Sequence, residues 1–392
     1  MLKGRQSHYL HLDLILMLLF FIIISSLAIY NAQQLGQYPD NFVSKQLIYY
    51  TLGIGVAIVL QFIDLEQMYK TSLYLYLLGV LSLIVLRFSP EAIAKPVNGA
   101  KSWFNNKVPL ISIQPSEFAK IFFVLFIAYL IYRHQQKYER QTIRSDLWLI
   151  GKIVLSTVAP AYLIWKQPDL GTTLVFLFIM VVLIVLSGVD WKIITLMFAS
   201  GLGAVVAAVL LIVNFPDFSK EVLKIEPHQI NRVLTWFDPS SQDSNDRYHI
   251  DLSLQTVGSG QLTGKGMNSA QVQIPEAHTD FIFSIIGESF GFLGSAVVIL
   301  VFFLFLYRLV TLGMKVASHN PFASYVCYGF MALILIHTFQ NIGMTIGLMP
   351  ITGIPLLFIS YGGSTILSTM MAYGIIYRIA VEQSKQEGFL FN

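Results

Sequence analysis

Charge is scarce in this sequence of 392 residues. Asp, Glu, Lys and Arg make up only 12% of it, about half of their share in an ordinary soluble domain. The residues AVILMFWYC make up 55%, and the mean hydropathy is +0.65. A soluble enzyme is therefore excluded. The formal net charge of +3 is also too small for a chain of this length to indicate a nucleic-acid partner.

Cysteine is nearly absent, and so are known cofactor motifs. The single cysteine, Cys327, lies in an apolar segment, so no intrachain disulfide can form. The eight histidines show no zinc spacing. The glycines around Lys265 resemble a phosphate-binding loop, but Gly266 stands where Ser or Thr would bind magnesium. No cofactor is predicted, and a divalent cation is neither supported nor excluded. Lys265 and the glycine-rich backbone around it still indicate, weakly, a site that presents backbone amides to an anion.

Ten long apolar runs dominate the sequence. A bilayer core about 30 Å thick requires roughly 20 apolar residues for one helical crossing. We therefore predict an all-α polytopic membrane protein with ten transmembrane helices, folded as one membrane-embedded domain over residues 1–392. Two large extracytoplasmic segments are expected at about 87–115 and 214–280, and the second, between helices 7 and 8, is too long for a mere connection. The runs lie at 12–30, 46–63, 70–86, 116–132, 148–165, 170–187, 191–213, 281–307, 323–346 and 362–381.

Positive charge predicts the orientation in the membrane. Ten crossings place both ends of the chain on one side, and the positive-inside rule discounts loops longer than about 60 residues. Without the 214–280 segment, twelve cationic residues lie on the side of the termini and six on the other. Both termini are therefore predicted to be cytoplasmic. The first run follows Lys3 and Arg5 as a signal peptide would, but about 19 apolar residues are too many for one and indicate a retained anchor.

Polar residues cluster where alternate helices begin. A charge at the bilayer centre costs at least about 2.5 to 3.5 kcal/mol, so its placement is informative. On the predicted topology every cluster lies at the outer face, and any chemistry is expected there. The clusters are Gln114-Pro115-Ser116-Glu117 with Lys120 one turn deeper, Gln167-Pro168-Asp169, His278-Thr279-Asp280, and Ser360-Tyr361-Gly362-Gly363-Ser364.

Each charged residue in these clusters has a structural and a functional interpretation. Glu117 is either an ordinary acid at a helix start, neutralised by Lys120 at i, i+3, or part of a site. Lys120 favours a functional cavity, because a lysine one turn inside the bilayer needs an open path to water. Asp169 is interpreted as a helix N-cap. Asp280 is either an N-cap or a catalytic base at the water boundary. Glu288, two turns deeper, is assigned to a buried network.

The two large outer segments carry opposite charge. The net charge is −4 over 214–280 and +3 over 87–115. An anionic substrate would therefore meet the earlier segment and individual cations rather than the field of the long loop. The individual cations are Lys120, Arg232, Arg247 and Lys265. Trp103 either stacks on a sugar or anchors the chain at the membrane interface, and the anchor is the default interpretation.

Together these motifs resemble one family, the SEDS polymerases (shape, elongation, division and sporulation). The matches are long, ordered along the chain and span nearly all of it. They are Asn98-Gly99-Ala100-Lys101-Ser102-Trp103, Gln114-Pro115-Ser116-Glu117-Phe118-Ala119-Lys120, Gln167-Pro168-Asp169-Leu170-Gly171-Thr172, Gly258-Ser259-Gly260 through Gly264-Lys265-Gly266 to His278-Thr279-Asp280-Phe281-Ile282-Phe283, Asn341-Ile342-Gly343-Met344, Pro350-Ile351-Thr352-Gly353-Ile354-Pro355 and Ser360-Tyr361-Gly362-Gly363-Ser364.

The resemblance implies a ten-helix peptidoglycan glycosyltransferase that polymerises lipid II at the outer face of the bacterial membrane, with elongation favoured over division. It places the catalytic carboxylate on Asp280, which would act as a general base in an inverting transfer that releases undecaprenyl diphosphate. Lys120 is the preferred diphosphate ligand, and Ser360 and Gly363 are expected to shape the cavity. The implied partners are lipid II, the growing glycan strand, a class B penicillin-binding protein and the bilayer.

Two other functions stay open at this point. A lipid II flippase would use the intramembrane residues Glu117, Lys120, Lys152 and Glu288 to pass a polar head group. It would require polar clusters at both faces, whereas the sequence shows them at one. A non-catalytic scaffold for cell-wall enzymes is the third possibility.

Overall fold

The computed structural model describes residues 10–37, 39–91, 93–94, 100–105, 112–138, 142–214, 245–268 and 272–390. Every predicted apolar run forms a helix, and most boundaries lie within about five residues of those expected, but the helices that begin at Ile282 and Gly363 end at Val316 and Leu390, beyond the predicted ends at 307 and 381. The helices are α1 (Leu12–Gln33), α2 (Phe42–Val59, continued by a 3-10 turn at Leu60–Phe62), α3 (Leu65–Phe88), α4 (Pro115–Lys137), α5 (Ile143–Trp165), α6 (Leu170–Leu186), α7 (Trp191–Asn214), α8 (Asn245–Ser259), α9 (Ile282–Val316), α10 (Pro321–Thr345) and α11 (Gly363–Leu390).

The fold class predicted from the sequence, an all-α polytopic membrane protein, is confirmed. Among the described residues, nine helices are long and apolar enough to cross a membrane, and α6, with 17 residues, is shorter. The count of ten crossings therefore stays a prediction. Helix α8 was not predicted, because it is polar and lies within the 214–280 segment. Strands β1 (Phe104–Asn105) and β2 (Ser112–Ile113) form a short antiparallel pair ahead of α4.

Helix starts follow local capping chemistry. Asp64 and Gln67 form a capping box at α3, which satisfies amides that a helix start otherwise leaves unbonded. Pro115 and Pro321 occupy the first turns of α4 and α10, where a missing N–H costs nothing. Helices α4 and α10 begin within two residues of the predicted runs, whereas the capping box begins α3 at Leu65, five residues earlier than predicted.

Helices α4, α10 and α11 form the centre of the bundle, and α7 lies at its periphery. Glycines allow the central helices to approach closely, as small residues do in membrane proteins. A Cβ on Gly329 of α10 would lie 2.5 Å from Val124 of α4. A Cβ on Gly53 of α2 would lie 2.6 Å from Met370 of α11. The first turn of α4 is consequently enclosed on several sides, although it carries charge.

The start of α1 and the end of α11 lie at the same end of the bundle. The Ser384 hydroxyl lies 3.3 Å from Nε2 of His11, and Arg308 of α9 donates to Asp13 at 2.5 Å. An even number of crossings requires this arrangement. Which side of the membrane this end faces stays a prediction.

Candidate active site

Several separate parts of the sequence meet around one cavity at the other end of the bundle. Its volume is about 380 Å³, within the range of ligand-binding clefts. The starts of α4, α6 and α11 and the turn before α9 contribute the walls, together with the segment at 352–355. The lining includes Trp103, Glu117, Asp169, Asp280, Gly353 and Gly363. The polar clusters predicted to share one face are therefore brought together.

Asp280 lies in the turn that leads into α9. The N-cap position of α9 is Phe281, and no side chain caps this helix, so the alternative interpretation of Asp280 as an N-cap is wrong. Within the described residues, no hydrogen bond or ion pair engages its carboxylate. Gly353, at φ +69°, approaches so closely that a Cβ there would lie 3.3 Å from Oδ2 of Asp280. The carboxylate is thus held at the cavity wall with its oxygens available.

The environment of Asp280 favours the protonated form. Burial raises its pKa to about 7, and the neighbouring carboxylates of Glu276 and Asp169 contribute in the same direction. A low dielectric and nearby like charges both disfavour a second negative charge. A carboxylate that titrates near neutral pH is matched to accepting and holding a proton during a reaction.

Hydrogen bonds from side chains to backbone carbonyls fix Asp280 against the loop before α11. The side-chain Nδ2 of Asn341 donates to the backbone carbonyls of Asp280 at 2.7 Å and Ile354 at 2.9 Å. The Ser360 hydroxyl donates to the carbonyl of Thr279 at 2.7 Å and accepts from the amide of Leu356 at 2.8 Å. Ser360 therefore supports the cavity from behind rather than lining it.

Asp169 both caps a helix and lines the cavity. Its Oδ1 accepts from the Thr172 amide at 2.9 Å, and its Oδ2 accepts from the Thr172 hydroxyl at 2.8 Å. The N-cap interpretation is confirmed. Burial raises the pKa of Asp169, and the two bonds from Thr172 oppose that effect.

A buried charge pair lies behind the wall between α4 and α10. The ammonium of Lys120 donates to Oε1 of Glu117 at 2.8 Å and to Nε2 of His337 at 3.1 Å. Nδ1 of His337 is 2.9 Å from the carbonyl of Pro355, so the imidazole is neutral with its proton on Nδ1. Glu117 and Lys120 are 2% and 1% exposed. Glu117 reaches the cavity lining, whereas Lys120 lies behind it, so a direct diphosphate contact by Lys120 stays a prediction.

Trp103 and Gly363 lie at the mouth of the cavity. Trp103 comes from the segment before β1, and its partly exposed ring contributes to the lining. Gly363 begins α11, and a Cβ there would lie 2.8 Å from the ring of Tyr49. Only a residue without a side chain lets these two elements close the wall.

Lys265 and Glu288 form a separate pair away from the cavity lining. Lys265 Nζ is 2.6 Å from Oε1 of the fully buried Glu288, as expected for Glu288 in a buried network. The amides of Gly264, Lys265 and Gly266 donate to the carbonyls of Gly260, Glu288 and Ser289. The weak prediction that this glycine-rich backbone presents its amides to an anion is therefore wrong for these three, because they are already bonded. Instead, they brace the kink of α9 at Gly291, where φ is 63°.

Two predicted cations cannot be placed. Arg232 lies outside the described residues, and Arg247 belongs to α8 but its side chain lies outside the described part of the chain. Across the described ranges, no group of three His, Cys, Asp or Glu side chains is arranged to hold a metal ion. The expectation about cofactors is not tested by this observation.

Sequence reasoning missed three residues that build the site. His337 and Asn341 are polar residues within an apolar helix, a placement that usually marks function. Gly353 stands between Thr352 and Ile354 in a turn that Pro350 and Pro355 bracket, a signal for a special backbone conformation. None of these signals could indicate which side chain each residue would contact.

Comparisons with known proteins show the family of this chain. The family model for cell cycle proteins of the FtsW/RodA/SpoVE type matches residues 6–385. A probable peptidoglycan glycosyltransferase FtsW from Halorhodospira halophila is 32% identical over 380 residues, covering 95% of this chain and 90% of that protein. Its counterpart from Allochromatium vinosum is 32% identical over 392 residues, covering 97% and 92%.

Solved structures share the fold. A chain in a peptidoglycan synthase complex, described as coordinating polymerization and crosslinking, aligns with a TM-score of 0.75 at 26% identity, covering 94% of this chain and 97% of that one. The crystal structure of the rod shape determining protein RodA of Thermus thermophilus aligns with a TM-score of 0.66 at 23% identity, covering 94% and 96%. The second likeness concerns the fold alone.

Proposed function

The chain belongs to the FtsW/RodA/SpoVE family of cell cycle proteins, the SEDS glycosyltransferases, and from this premise we propose that it polymerises lipid II into peptidoglycan strands at the outer face of the bacterial cytoplasmic membrane. The observation that carries the proposal is the Asp280 carboxylate at the wall of the cavity. Its raised pKa and its lack of a partner within the described residues suit a general base.

The proposed reaction is a single inverting displacement. The Asp280 carboxylate takes the proton from a hydroxyl of the acceptor sugar, and the hydroxyl oxygen attacks the anomeric carbon of the lipid-linked donor. The bond from that carbon to the diphosphate oxygen breaks, and undecaprenyl diphosphate leaves with the bonding electrons. The proton stays on Asp280 until solvent removes it. Only one base is needed, because the diphosphate leaves as a stable anion.

Stabilisation of the diphosphate is assigned to Lys120. Its ammonium is bonded to Glu117 and His337, so in this arrangement the carboxylate of Glu117 balances its charge. A direct bond to the diphosphate would require Glu117 to turn away.

The position of the cavity supports a polymerase over a lipid II flippase. The carboxylates Glu117, Asp169 and Asp280 line a cavity at one end of the bundle, whereas transport requires a polar path to the other end. The peripheral position of α7 leaves apolar helix surface exposed for the lipid tail. We further propose that the termini are cytoplasmic and that a class B penicillin-binding protein cross-links the product.

Polymerisation of lipid II by the purified protein tests the function. Asp280→Asn should abolish glycan product while leaving membrane insertion intact. The matched control is Asp190→Asn, which removes an exposed carboxylate at the start of α7 and should retain activity. Normal product from Asp280→Asn would refute the assignment, and no product from the unaltered protein, even with its transpeptidase partner, would favour the scaffold.

We propose cell elongation as the cellular role. The support is the motif likeness to the elongation branch of the family, and the test is the morphology of depleted cells. Rounding on depletion is the expected result. Filamentation would assign the protein to division instead.

A further inference from the structure

A second concentration of charge lies at the opposite end of the bundle, where α4 ends and α5 begins. The 23 residues of α4 rise by about 35 Å in total, so this region is at the other membrane surface from Asp280. A groove of about 720 Å³ opens here. It is lined by Tyr138, Thr142, Arg144, Ser145, Leu147 and Trp148.

Cations from two helices lie in or near this groove, and Arg144 is part of its lining. Arg133 and Lys137 lie on the last turns of α4, and Arg144 and Lys152 lie on α5. Arg144, Trp148 and Lys152 are spaced four residues apart, so they share one face of α5. The positive charges of Lys137 and Arg133 act repulsively on Lys152. Folding therefore brings Arg133 and Lys137 of α4 near Lys152 of α5.

Aromatic rings lie against two of these cations. Lys152 Nζ lies 5.5 Å from the ring centre of Trp148, and Lys137 Nζ lies 5.7 Å from that of Tyr138. Both rings line the groove. Such contacts fix a cation without neutralising its charge.

Within the described part of the chain, little neutralises the four cations. Over the described ranges, no carboxylate lies within ion-pair distance of Arg133, Lys137, Arg144 or Lys152. The nearby Asp146 is buried, and its Oδ2 accepts from the amide of Asp190 at 3.0 Å. Lys152 instead donates to Nδ1 of His134 at 3.1 Å, a neutral acceptor. The groove is thus electrostatically suited to an anion.

Apolar side chains next to the cations identify the kind of anion. Ile143, Leu147, Trp148 and Leu155 are between 55% and 74% exposed, and a bilayer would cover them with acyl chains. Cations beside an apolar face at the membrane surface are typical of sites for acidic lipids. We propose that this groove binds the phosphate headgroup of an anionic phospholipid, with the acyl chains along α5. Charges that only orient the chain would need neither the groove nor the aromatic contacts.

The binding test uses the purified full-length protein in mixed micelles. Phosphatidylglycerol should raise the midpoint of thermal unfolding and remain bound in native mass spectra, whereas phosphatidylcholine should do neither. Replacing both Arg144→Gln and Lys152→Gln should weaken phosphatidylglycerol binding about 10- to 30-fold, the effect of two cations near an acidic headgroup. The matched control replaces Lys70→Gln and Lys385→Gln, two exposed cations at the same end of the bundle, and should bind as the unaltered protein does.

Two outcomes would overturn the proposal. Equal phosphatidylglycerol binding by the double variant and its control would show that net charge, not the groove, attracts the lipid. An equal rise in the unfolding midpoint with inorganic phosphate would assign the groove to a soluble anion. If the double variant fails to fold, brominated phosphatidylglycerol tests the same point, because it should quench the fluorescence of the unaltered protein more than that of Trp148→Phe. Equal quenching would also refute the proposal.

Discussion

Polymerisation should rise steeply with pH around neutrality, because the proposed base must be ionised to accept a proton. With the pKa of Asp280 at about 7, about 9% of the molecules carry the carboxylate at pH 6 and about 91% at pH 8. The initial rate should therefore increase about tenfold over this interval. An aspartate with an ordinary pKa is fully ionised throughout it, and the rate would be flat.

The variant Glu276→Gln distinguishes ionisation of Asp280 from ionisation of the substrate as the cause of the pH dependence of the rate. Burial is the largest contribution to the raised pKa of Asp280, and the charge of Glu276 is the next. Its removal should move the midpoint of the rate profile to lower pH. The matched control Asp251→Asn, which alters a carboxylate of α8 outside the cavity lining, should leave the midpoint unchanged. A profile that is flat from pH 6 to pH 8, or that Glu276→Gln does not move, would refute the reasoning.

The stability of the protein should also depend on pH, in the direction opposite to that of its activity. In the unfolded chain the Asp280 carboxyl ionises near pH 3.8, whereas in the folded protein it keeps its proton up to about pH 7. The unfolded state therefore binds fewer protons in this interval, and this group lowers the free energy of unfolding as the pH rises. Asp280→Asn should consequently raise the midpoint of thermal unfolding at pH 8 and change it less at pH 4. A lower midpoint at pH 8 would show that the carboxylate stabilises the fold.

Two further substitutions test the walls of the cavity. Gly353→Ala should lower polymerisation at least tenfold with little loss of expression, because its Cβ would press on Oδ2 of Asp280 from a backbone conformation that side chains disfavour; unchanged kinetics would contradict that contact. His337→Leu should lower the thermal midpoint by several degrees, since a buried ammonium that loses one acceptor costs about 1 to 3 kcal/mol, and His337→Gln should restore part of it. An unaltered midpoint in His337→Leu would show that Lys120 does not depend on the imidazole.

The sequence predicts the helices better than it predicts the site. Runs of apolar residues are long enough to define each crossing without tertiary information, and Pro115 and Asp169 mark their helix starts by local chemistry. The sequence also predicts that the polar clusters lie at one face of the membrane, because alternate crossings begin there. The sequence does not predict helix α8, because the stability of this helix depends on packing against α9 rather than on a long apolar run.

Partnerships between distant residues could not be read from the chain. Lys120 and His337 are more than two hundred positions apart, so only the packing of α4 against α10 reveals that they share a hydrogen bond. The glycines around Lys265 were ambiguous for a similar reason. Their amides face carbonyls of α9, and no local pattern distinguishes amides that are already bonded from amides that await an anion.

Three carboxylates line the cavity, yet its proposed substrate is anionic. Two of the three carboxylates are engaged by neighbouring groups. Glu117 is paired with Lys120, and Asp169 is bonded to the first turn of its own helix, so neither presents a free charge. The starts of α4, α6, α9 and α11 all meet there, and each helix start carries about half a positive charge. A diphosphate would therefore meet the positive ends of several helices. Asp280, half protonated near neutral pH, is the one lining carboxylate without a partner among the described residues, which suits the residue proposed to receive the proton.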